Sequence, residues 1–241
     1  MLAVATKNLT KTYKDIKAVD SLNLEIYDRE LFALLGVNGA GKTTTIKMLS
    51  CLVKPDAGEA HIFGHDTVRE SGAVKELIGL SPQETAIAPN LTVKENILLM
   101  CGAYGMGRDA ADAKCAELIE RFSLREIISK RAAKLSGGWQ RRLSLAMAIV
   151  SEPKLLFLDE PTLGLDVIAR SELWDTIREL KSRSAIILTT HYMEEAEALA
   201  DRVGIMRNGK LLYVGTPEEI KAYAGCDKFE DAFIKIVKGE C

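Results

Sequence analysis

The stretch LFALLGVNGAGKTT, residues 31–44, decides the fold class of this chain. Its second part, GVNGAGKT, matches the pattern G-x-x-x-x-G-K-[ST], and it follows an apolar run and precedes a helical pattern. Glycines let the backbone turn its N–H groups toward phosphate oxygens, and a strand-loop-helix context is what this motif requires. We therefore predict a nucleotide-binding loop that consists of Gly36, Val37, Asn38, Gly39, Ala40, Gly41, Lys42, Thr43 and Thr44.

A second apolar run, LLFLDE at 155–160, ends in two carboxylates. In an open α/β sheet, ligands bind at the carboxyl ends of the strands. Lys42 is expected to neutralise the β- and γ-phosphates, and Thr43 and Asp159 to hold Mg²⁺ through oxygen atoms. Glu160 is then free to polarise the attacking water as a general base. The alternative interpretation is that two acidic residues merely end a strand.

The pattern of apolar residues indicates an α/β fold with a mostly parallel sheet. Runs typical of buried parallel strands occur at 31–36, 155–159 and 185–191, and each is followed by a helical pattern. Residues 2–27 alternate between apolar and polar, which predicts antiparallel strands of a half-exposed sheet. Between 83 and 150 the character becomes helical. The sequence thus predicts an N-terminal antiparallel β subdomain and an inserted α-helical subdomain around the core.

Shorter signals refine this plan. EAHIFG at 59–64 predicts a further strand, and TVKE at 92–95 predicts a capping box at the start of a helix. RVGIMRNGKLLYVGT at 202–216 predicts a hairpin with Asn-Gly at its turn. TPEE at 216–219 predicts another capped helix.

Composition is that of an ordinary globular protein, with 47% hydrophobic and 27% charged residues among 241. The net charge of −2 argues against a general nucleic-acid binder, so no nucleic acid is expected as a partner. The five cysteines and three histidines show no metal-ligand spacing. No apolar run reaches the ~20 residues of a membrane span, and residues 1–11 lack a signal-peptide pattern. We therefore expect a cytosolic protein with reduced thiols.

A second glycine-rich stretch, LSGGWQRRLSLAMAIV at 135–150, predicts the start of an amphipathic helix. Ser136 can cap that helix. Free N–H groups at such a helix end suit an anion, although the phosphate loop already provides one anion site. Arg141 and Arg142 suit a solvated helix face or an acidic partner, and we assign them no site.

These motifs, in this order, resemble the ATP-binding subunits of ABC transporters over nearly the whole chain. Beside the phosphate loop and the two carboxylates, Gln83 in SPQE matches the family's Q-loop. LSGGW at 135–139 resembles its signature motif, and LGLD at 163–166 resembles its D-loop. His191, which follows a predicted strand, matches the switch histidine, and Tyr13 matches the aromatic residue that stacks on adenine.

The resemblance implies a role for each matched residue. Glu160, His191 and Lys42 carry out hydrolysis, with the imidazole bonding the γ-phosphate. Tyr13 stacks on adenine, and Gln83 contacts both the γ-phosphate and Mg²⁺. The remaining implied nucleotide contacts come from Ser136, Gly137, Gly138 and Asp166. ATP and Mg²⁺ are therefore the implied cofactors.

The resemblance also implies an assembly. Two ATP-binding chains of this family pack head to tail, so that the signature of one meets the nucleotide of the other. The implied partners are a second copy of this chain or a paralogous ATPase subunit, and a membrane permease that holds the pair at the inner face of the cell membrane. FEDAF at 229–233 and the GLD form of the D-loop resemble the branch that works with ABC-2-type permeases, which are mostly exporters.

As an organisation, the resemblance implies one ABC ATPase domain with a P-loop NTPase core of the RecA-like kind. Residues 1–82 hold the antiparallel β subdomain and the phosphate-loop part of the core. Residues 83–150 hold the Q-loop and the helical subdomain with the signature motif. Residues 151–225 complete the core, and 226–241 form a C-terminal tail.

Two positions depart from the family's pattern. Trp139 stands where the family most often has glutamine, which affects a polar contact to the partner's nucleotide sugar, and Gln140 is a candidate to replace it. Leu163 stands where a serine is common in the D-loop, so a hydroxyl contact across the interface is missing.

Other interpretations stay open at this point. The chain can also be the ATPase subunit of an importer, or a soluble ABC-type ATPase that acts on nucleic acid or ribosomes. A P-loop kinase that passes phosphate to a small molecule is a further alternative, which ATP hydrolysis without an added acceptor would argue against. A nucleotide-binding regulator without turnover fits less well, because Glu160 and His191 are both present. At single positions, Gln83 can be a turn residue, Tyr13 can pack on the sheet and Asp166 can be a plain helix cap.

Overall fold

The computed structural model describes residues Met1–Cys241 and contains two sheets flanked by helices. The strands are β1 (Leu2–Tyr13), β2 (Ile16–Tyr27), β3 (Leu31–Leu35), β4 (Ala57–Ile62), β5 (His65–Asp66), β6 (Ile78–Ser81), β7 (Leu155–Asp159), β8 (Ala185–Thr190), β9 (Arg202–Arg207) and β10 (Lys210–Gly215). The helices are α1 (Lys42–Leu49), α2 (Ser71–Leu77), α3 (Val93–Ala103), α4 (Arg108–Arg121), α5 (Gly137–Ala148), α6 (Val167–Lys181), α7 (Met193–Leu199), α8 (Pro217–Ala224) and α9 (Phe229–Lys238).

The larger sheet has the strand order β10-β9-β3-β8-β7-β6, and only β10 runs antiparallel to its neighbour. Every residue of β3, β7 and β8 is buried, as the continuous apolar runs require when both faces of a sheet are covered. The carboxyl ends of these strands lie side by side, with Leu35 paired to Thr190 and Asp159 to Thr189. The predicted α/β fold with a mostly parallel sheet is confirmed.

The smaller sheet is antiparallel, with the order β2-β1-β4-β5. Val4 of β1 pairs with Ile26 on one side and with Ile62 on the other, so apolar side chains line up across three strands. These residues share one apolar cluster with Ile46 of α1 and Leu34 of β3. The predicted antiparallel sheet is therefore present, and it packs against the helix that follows the phosphate loop.

Helices α3, α4 and α5 form the predicted helical part and share one apolar cluster with the core helix α6. The capping box at the start of α3 is present: the Thr92 hydroxyl accepts a hydrogen bond from the Glu95 N–H at 3.2 Å. The Glu95 carboxylate in turn accepts from the Thr92 N–H at 2.7 Å. These reciprocal bonds satisfy two donors that a helix terminus leaves free.

The chain ends in the predicted hairpin and two further helices. Asn208 and Gly209, between β9 and β10, both have positive φ angles, of 49° and 77°, as a tight hairpin turn requires. Helix α8 begins at the predicted capped start, where Thr216 and Glu219 form a capping box. The segment expected as a tail contains α9, which packs Phe229 and Phe233 into the cluster beneath α8 and β9.

One strand of the core was not predicted. Residues before Gln83 form α2 and then β6, which pairs in parallel with β7 at the edge of the larger sheet. Gly79 in β6 passes so close to α5 that an added Cβ would lie 2.2 Å from the Ala148 carbonyl oxygen. The strand therefore depends on a contact between distant segments, which its four residues do not reveal.

None of the helices combines the length and the apolar character that crossing a bilayer requires. All five cysteines are free, and Cys101 and Cys115 are buried in the helical part. Burial raises the pKa of both thiols above the ordinary value for cysteine. They are therefore thiols at neutral pH.

Candidate active site

The loop from β3 to α1 has a backbone that only glycine permits at two positions. Gly41 has a φ of +107°, and a Cβ added there would lie 2.3 Å from the Ala18 carbonyl oxygen. A Cβ on Gly36 would lie 2.4 Å from the Met206 carbonyl oxygen. At these two positions the loop is held against β2 and β9 with no room for a side chain.

Lys42, the first residue of α1, reaches back under this loop. Its ammonium donates a hydrogen bond to the Gly36 carbonyl at 2.7 Å and lies 3.3 Å from Oε1 of Glu160. Both side chains are buried at this contact. Because removing charges from water is costly, each of these two buried charges depends on the other as its partner.

The two adjacent carboxylates point to different partners. Asp159, the last residue of β7, accepts a hydrogen bond from the Thr43 hydroxyl at 3.1 Å and another from the Thr189 hydroxyl. A carboxylate and a hydroxyl that meet in this way are the hard oxygen ligands that Mg²⁺ prefers. The residues present therefore fit a magnesium ion next to the phosphate loop.

Glu160 joins the loop to the end of β8. Its Oε2 lies 2.7 Å from Nδ1 of His191, while its Oε1 faces Lys42. Its backbone is left-handed, with a φ of 50° that costs roughly 1–3 kcal/mol for a residue other than glycine. The Glu160 N–H donates to the Thr189 carbonyl at 3.1 Å. The surrounding contacts thus hold a strained backbone at the carboxylate that the sequence predicts as a general base.

A cavity of about 490 Å³ opens above these groups. It brings together most of the predicted phosphate loop with Gln83, Glu160 and His191, and its lining is Ala18, Asn38, Gly39, Ala40, Gly41, Lys42, Thr43, Thr44, Gln83, Glu160, Leu163 and His191. Five different segments of the chain therefore converge on one cavity, and among its lining residues only Ala18 and Leu163 were not named as site residues from the sequence.

Other predicted residues lie outside this cavity. Gly36, Val37 and Asp159 belong to the loop and strand that surround it but do not line it. Tyr13, at the end of β1, is 45% exposed, and the Lys11 ammonium lies 5.6 Å from its ring centroid. Ala18 in β2, which was not predicted from the sequence, does line the cavity.

The LSGG turn is not brought to the cavity of its own chain. Ser136 and Gly137 are exposed, and Ser136 is the N-cap of α5 although its hydroxyl makes no capping hydrogen bond. The first bond within the helix runs from the Gln140 N–H to the Ser136 carbonyl. Since the amides before it have no partner in the helix, a hydroxyl and several N–H groups face outward together.

The neighbours of this turn differ from expectation. The Gln140 side-chain amide donates to the carbonyls of Ala132 at 3.1 Å and Leu135 at 3.3 Å, so it faces its own chain. The expectation that Gln140 replaces the missing glutamine at the surface is not met. Trp139 instead lies under Arg142, whose guanidinium is 5.2 Å from the ring centroid.

Asp166 is a helix cap, which is the alternative that the sequence left open for it. Its carboxylate caps α6 by accepting a hydrogen bond from the Ala169 N–H at 2.9 Å. It does not line the cavity, and Leu163 of the same loop does.

Arg141 was missed by sequence reasoning, and the expectation of a solvated face is wrong for it. Its side chain is buried, and it donates to the backbone carbonyls of Pro82 at 2.6 Å, Gln83 at 2.8 Å and Glu160 at 3.3 Å. Burial lowers the pKa of the guanidinium, which nearby carboxylates oppose. Arg142, by contrast, pairs with Glu172. Helical spacing gave a signal, because Arg141 is four residues before the buried Leu145.

Glu195 in α7 was missed as well. It is fully buried and accepts hydrogen bonds from the Thr162 hydroxyl at 2.8 Å and the Trp174 indole at 3.1 Å. Its Oε2 has no hydrogen-bond partner. Burial raises the pKa of this carboxyl above its ordinary value of 4.5. The signal was a charged residue four positions before the buried Leu199 on one helix.

Comparisons with known proteins agree with this geometry. The profile of the ABC transporter family matches residues 19–163. The daunorubicin resistance ATP-binding protein DrrA3 of Streptomyces coeruleorubidus is 42% identical over 229 residues, which are 95% of this chain and 72% of that protein. The Nod factor export ATP-binding protein I of Burkholderia orbicola is 41% identical over 226 residues, 93% of this chain and 74% of that protein.

Two solved structures have the same fold. The ATP-binding subunit of an ABC transporter superposes with a TM-score of 0.86 at 28% identity, covering 97% of this chain and 99% of the other. The dimeric ATP-binding cassette MJ0796, in a post-hydrolysis state with ADP and Pi, gives a TM-score of 0.80 at 26% identity over 88% of this chain and 98% of the other. This chain therefore belongs to the ABC transporter family and is an ATP-binding, ATP-hydrolysing subunit of such a transporter.

Proposed function

We propose that this chain hydrolyses ATP in sites shared by two chains, and that this drives a membrane exporter. The observation that carries the proposal is the separation of its two anion-binding features. The phosphate loop, Lys42 and Glu160 surround one cavity, whereas the Ser136 turn is exposed to solvent and does not line that cavity. An outward-facing turn with free donors serves a nucleotide that another chain holds.

At the cavity, Lys42 and the amides of the phosphate loop bind the β- and γ-phosphates of ATP. Water attacks the γ-phosphorus, the bond to the bridging oxygen of ADP breaks, and Glu160 accepts the proton that the water loses. His191, which lies 2.7 Å from Glu160, orients that carboxylate and donates a hydrogen bond to the γ-phosphate. ADP and phosphate are the products.

Thr43, Asp159 and Gln83 are proposed to hold Mg²⁺. A bound magnesium ion neutralises charge that develops on the phosphate oxygens. The Thr43 hydroxyl already lies 3.1 Å from the Asp159 carboxylate. Gln83 lines the same cavity as Thr43. Tyr13 stacks on the adenine base at the mouth of the site, with its exposed ring available for that contact.

Head-to-tail packing completes each site with the partner's Ser136 hydroxyl and the Gly137 and Gly138 amides, beside Asp166 in the D-loop. Each hydrogen bond to a charged phosphate contributes roughly 1.5–3 kcal/mol. Three donors at each of two sites therefore raise dimer affinity by orders of magnitude while the γ-phosphate is present. Hydrolysis removes that link, and the chains separate.

The names of the relatives support the exporter assignment, since they concern daunorubicin resistance and Nod factor export. We propose an ABC-2-type permease as the membrane partner and the inner face of the membrane as the location. The helical part, 83–150, carries movement to the permease, while 1–82 and 151–225 form the ATPase core and 226–241 closes it. Gln83 sits where these parts join, so Gln83→Ala is expected to bind ATP but to uncouple transport.

A complementation experiment tests the shared site. Aspartate is as favourable as serine at a helix N-cap, and Ser136→Asp places a negative charge where the partner's γ-phosphate would sit. Glu160→Gln removes the proposed base. Each variant alone is expected to be inactive, whereas an equimolar mixture forms pairs with one intact site and recovers activity.

The matched control is a chain that carries both substitutions, mixed with the Glu160→Gln chain, which contains no intact site in any pairing. A mixture of the single variants that is no more active than its components would refute the shared site.

A further inference from the structure

Arg141 contacts three carbonyls of the catalytic region from within a buried pocket. Nη1 donates to Pro82, and Nη2 donates to Gln83 and Glu160. No carboxylate oxygen lies within ion-pair distance of the guanidinium, so its partners are backbone groups alone. Burying a charge in this way is unfavourable unless its donors are well used. The three contacts therefore indicate that an arginine is required at position 141.

We propose that Arg141 is a positioning residue, which holds the backbone of Gln83 and Glu160 in the hydrolysis-competent arrangement of its own chain. This proposal rests on the function proposed above, since it assigns Glu160 as base and Gln83 as a contact of the γ-phosphate and Mg²⁺. Arg141 does not line the cavity, so it acts through these two residues.

The guanidinium suits this task because it is planar and carries several donors in a fixed fork. One side chain thereby fixes the Q-loop backbone and the residue after β7 at once. A lysine carries its donors at a single point, and a glutamine offers one amide group. Neither can reproduce the three contacts at 2.6 Å, 2.8 Å and 3.3 Å.

The strained backbone of Glu160 makes this support necessary. Its φ of 50° lies in the left-handed region, which a non-glycine residue leaves when its surroundings relax. Arg141 holds the carbonyl of this residue, and Thr189 holds its N–H. Without the hydrogen bond from Arg141, the Glu160 backbone can relax, and its carboxylate then moves away from Lys42 and His191. A misplacement of about 1 Å can lower a rate by about 10²-fold.

The proposal predicts a loss in rate without a loss in nucleotide binding. Arg141→Gln is expected to lower kcat by about 10²-fold and to leave the Kd for a non-hydrolysable ATP analogue within about twofold. Arg141→Lys keeps the charge, and its kcat is expected to lie between that of Arg141→Gln and that of the wild type. Arg142→Gln is the matched control on the same helix, because its side chain pairs with Glu172 at the surface.

The complementation pair separates positioning from a general role in folding α5. Its one intact site uses Glu160 from the Ser136→Asp chain and the signature turn from the Glu160→Gln chain. Arg141→Gln placed in the Ser136→Asp chain is expected to abolish the recovered activity. The same substitution in the Glu160→Gln chain is expected to leave most of it.

Equal losses from both placements would overturn the proposal, since they indicate damage to the helix rather than to Glu160 and Gln83. A wild-type kcat for Arg141→Gln would overturn it as well. If the glutamine variant does not fold, Arg141→Lys is judged by the same criteria. Failure of the pair to complement without any change at Arg141 counts against the shared site instead, so the two failures are distinguishable.

Discussion

Replacing Glu160 by glutamine isolates the chemical step from the shape of the site. Glutamine has nearly the same size, so its amide can remain between Lys42 at 3.3 Å and His191 at 2.7 Å. It cannot accept the proton of the attacking water. We therefore expect Glu160→Gln to bind ATP and to lose hydrolysis.

The expected loss in hydrolysis rate depends on whether another group in the cavity can replace Glu160 as the base. Removing a general base lowers a rate by about 10²–10⁴-fold, which corresponds to about 2.7–5.4 kcal/mol in activation free energy. Lys42 and His191 are the other titratable side chains that line the cavity, and Asp159 is engaged by Thr43 and Thr189. Because no second carboxylate is free, we expect the upper half of this range, about 10³–10⁴-fold. ATP affinity should be equal or tighter, since one negative charge near the phosphates is gone.

The assay measures phosphate release at saturating Mg-ATP, with the Kd for a fluorescent ATP analogue measured in parallel. Glu126→Gln, at an exposed position remote from the cavity, is the matched control and should keep wild-type values for both. Turnover by Glu160→Gln close to that of the control would remove Glu160 from the role of base. A parallel loss of ATP binding would mean that the carboxylate holds the site together instead.

Two further predictions concern the loop and the buried acid. Gly41→Ala should abolish nucleotide binding without unfolding the chain, because a Cβ there collides with the Ala18 carbonyl at 2.3 Å and the φ of +107° disfavours it; unchanged ATP affinity in equilibrium titrations would contradict the loop geometry. Glu195→Gln should change how stability depends on pH. The folded chain holds the Glu195 proton above the ordinary pKa of 4.5, so wild-type stability falls as pH rises from there through the raised pKa, and the variant escapes this fall. In urea unfolding between about pH 5 and about pH 8, the free energy of unfolding of the variant relative to wild type should rise with pH, and a flat or falling difference would contradict the raised pKa.

The elements that could be predicted are those whose physical cause is local. Strand β7 is a run of buried residues that ends in a carboxylate, and the α3 capping box is complete within four residues. The phosphate loop is likewise contiguous. Strand β6 was missed because its formation depends on the approach of Gly79 to the Ala148 carbonyl, 69 positions along the chain.

The same distinction explains the active site. The phosphate-loop pattern and the strand that ends in two carboxylates identified Lys42 and Glu160, and the family resemblance identified His191; the structure brings all three to one cavity. Arg141 and Glu195 were missed because a charged residue on a helix normally faces water. Only tertiary packing places backbone carbonyls around Arg141. The same is true of the Thr162 hydroxyl and the Trp174 indole that contact Glu195.

The central claim is that ATP joins two chains, with the γ-phosphate held by Lys42 of one and by the Ser136 turn of the other. Sedimentation of the Glu160→Gln protein with and without saturating Mg-ATP tests it most directly. The account predicts monomers without nucleotide, dimers with Mg-ATP, and monomers under both conditions once Ser136→Asp is added. A Glu160→Gln protein that binds ATP yet stays monomeric at every concentration would contradict the claim.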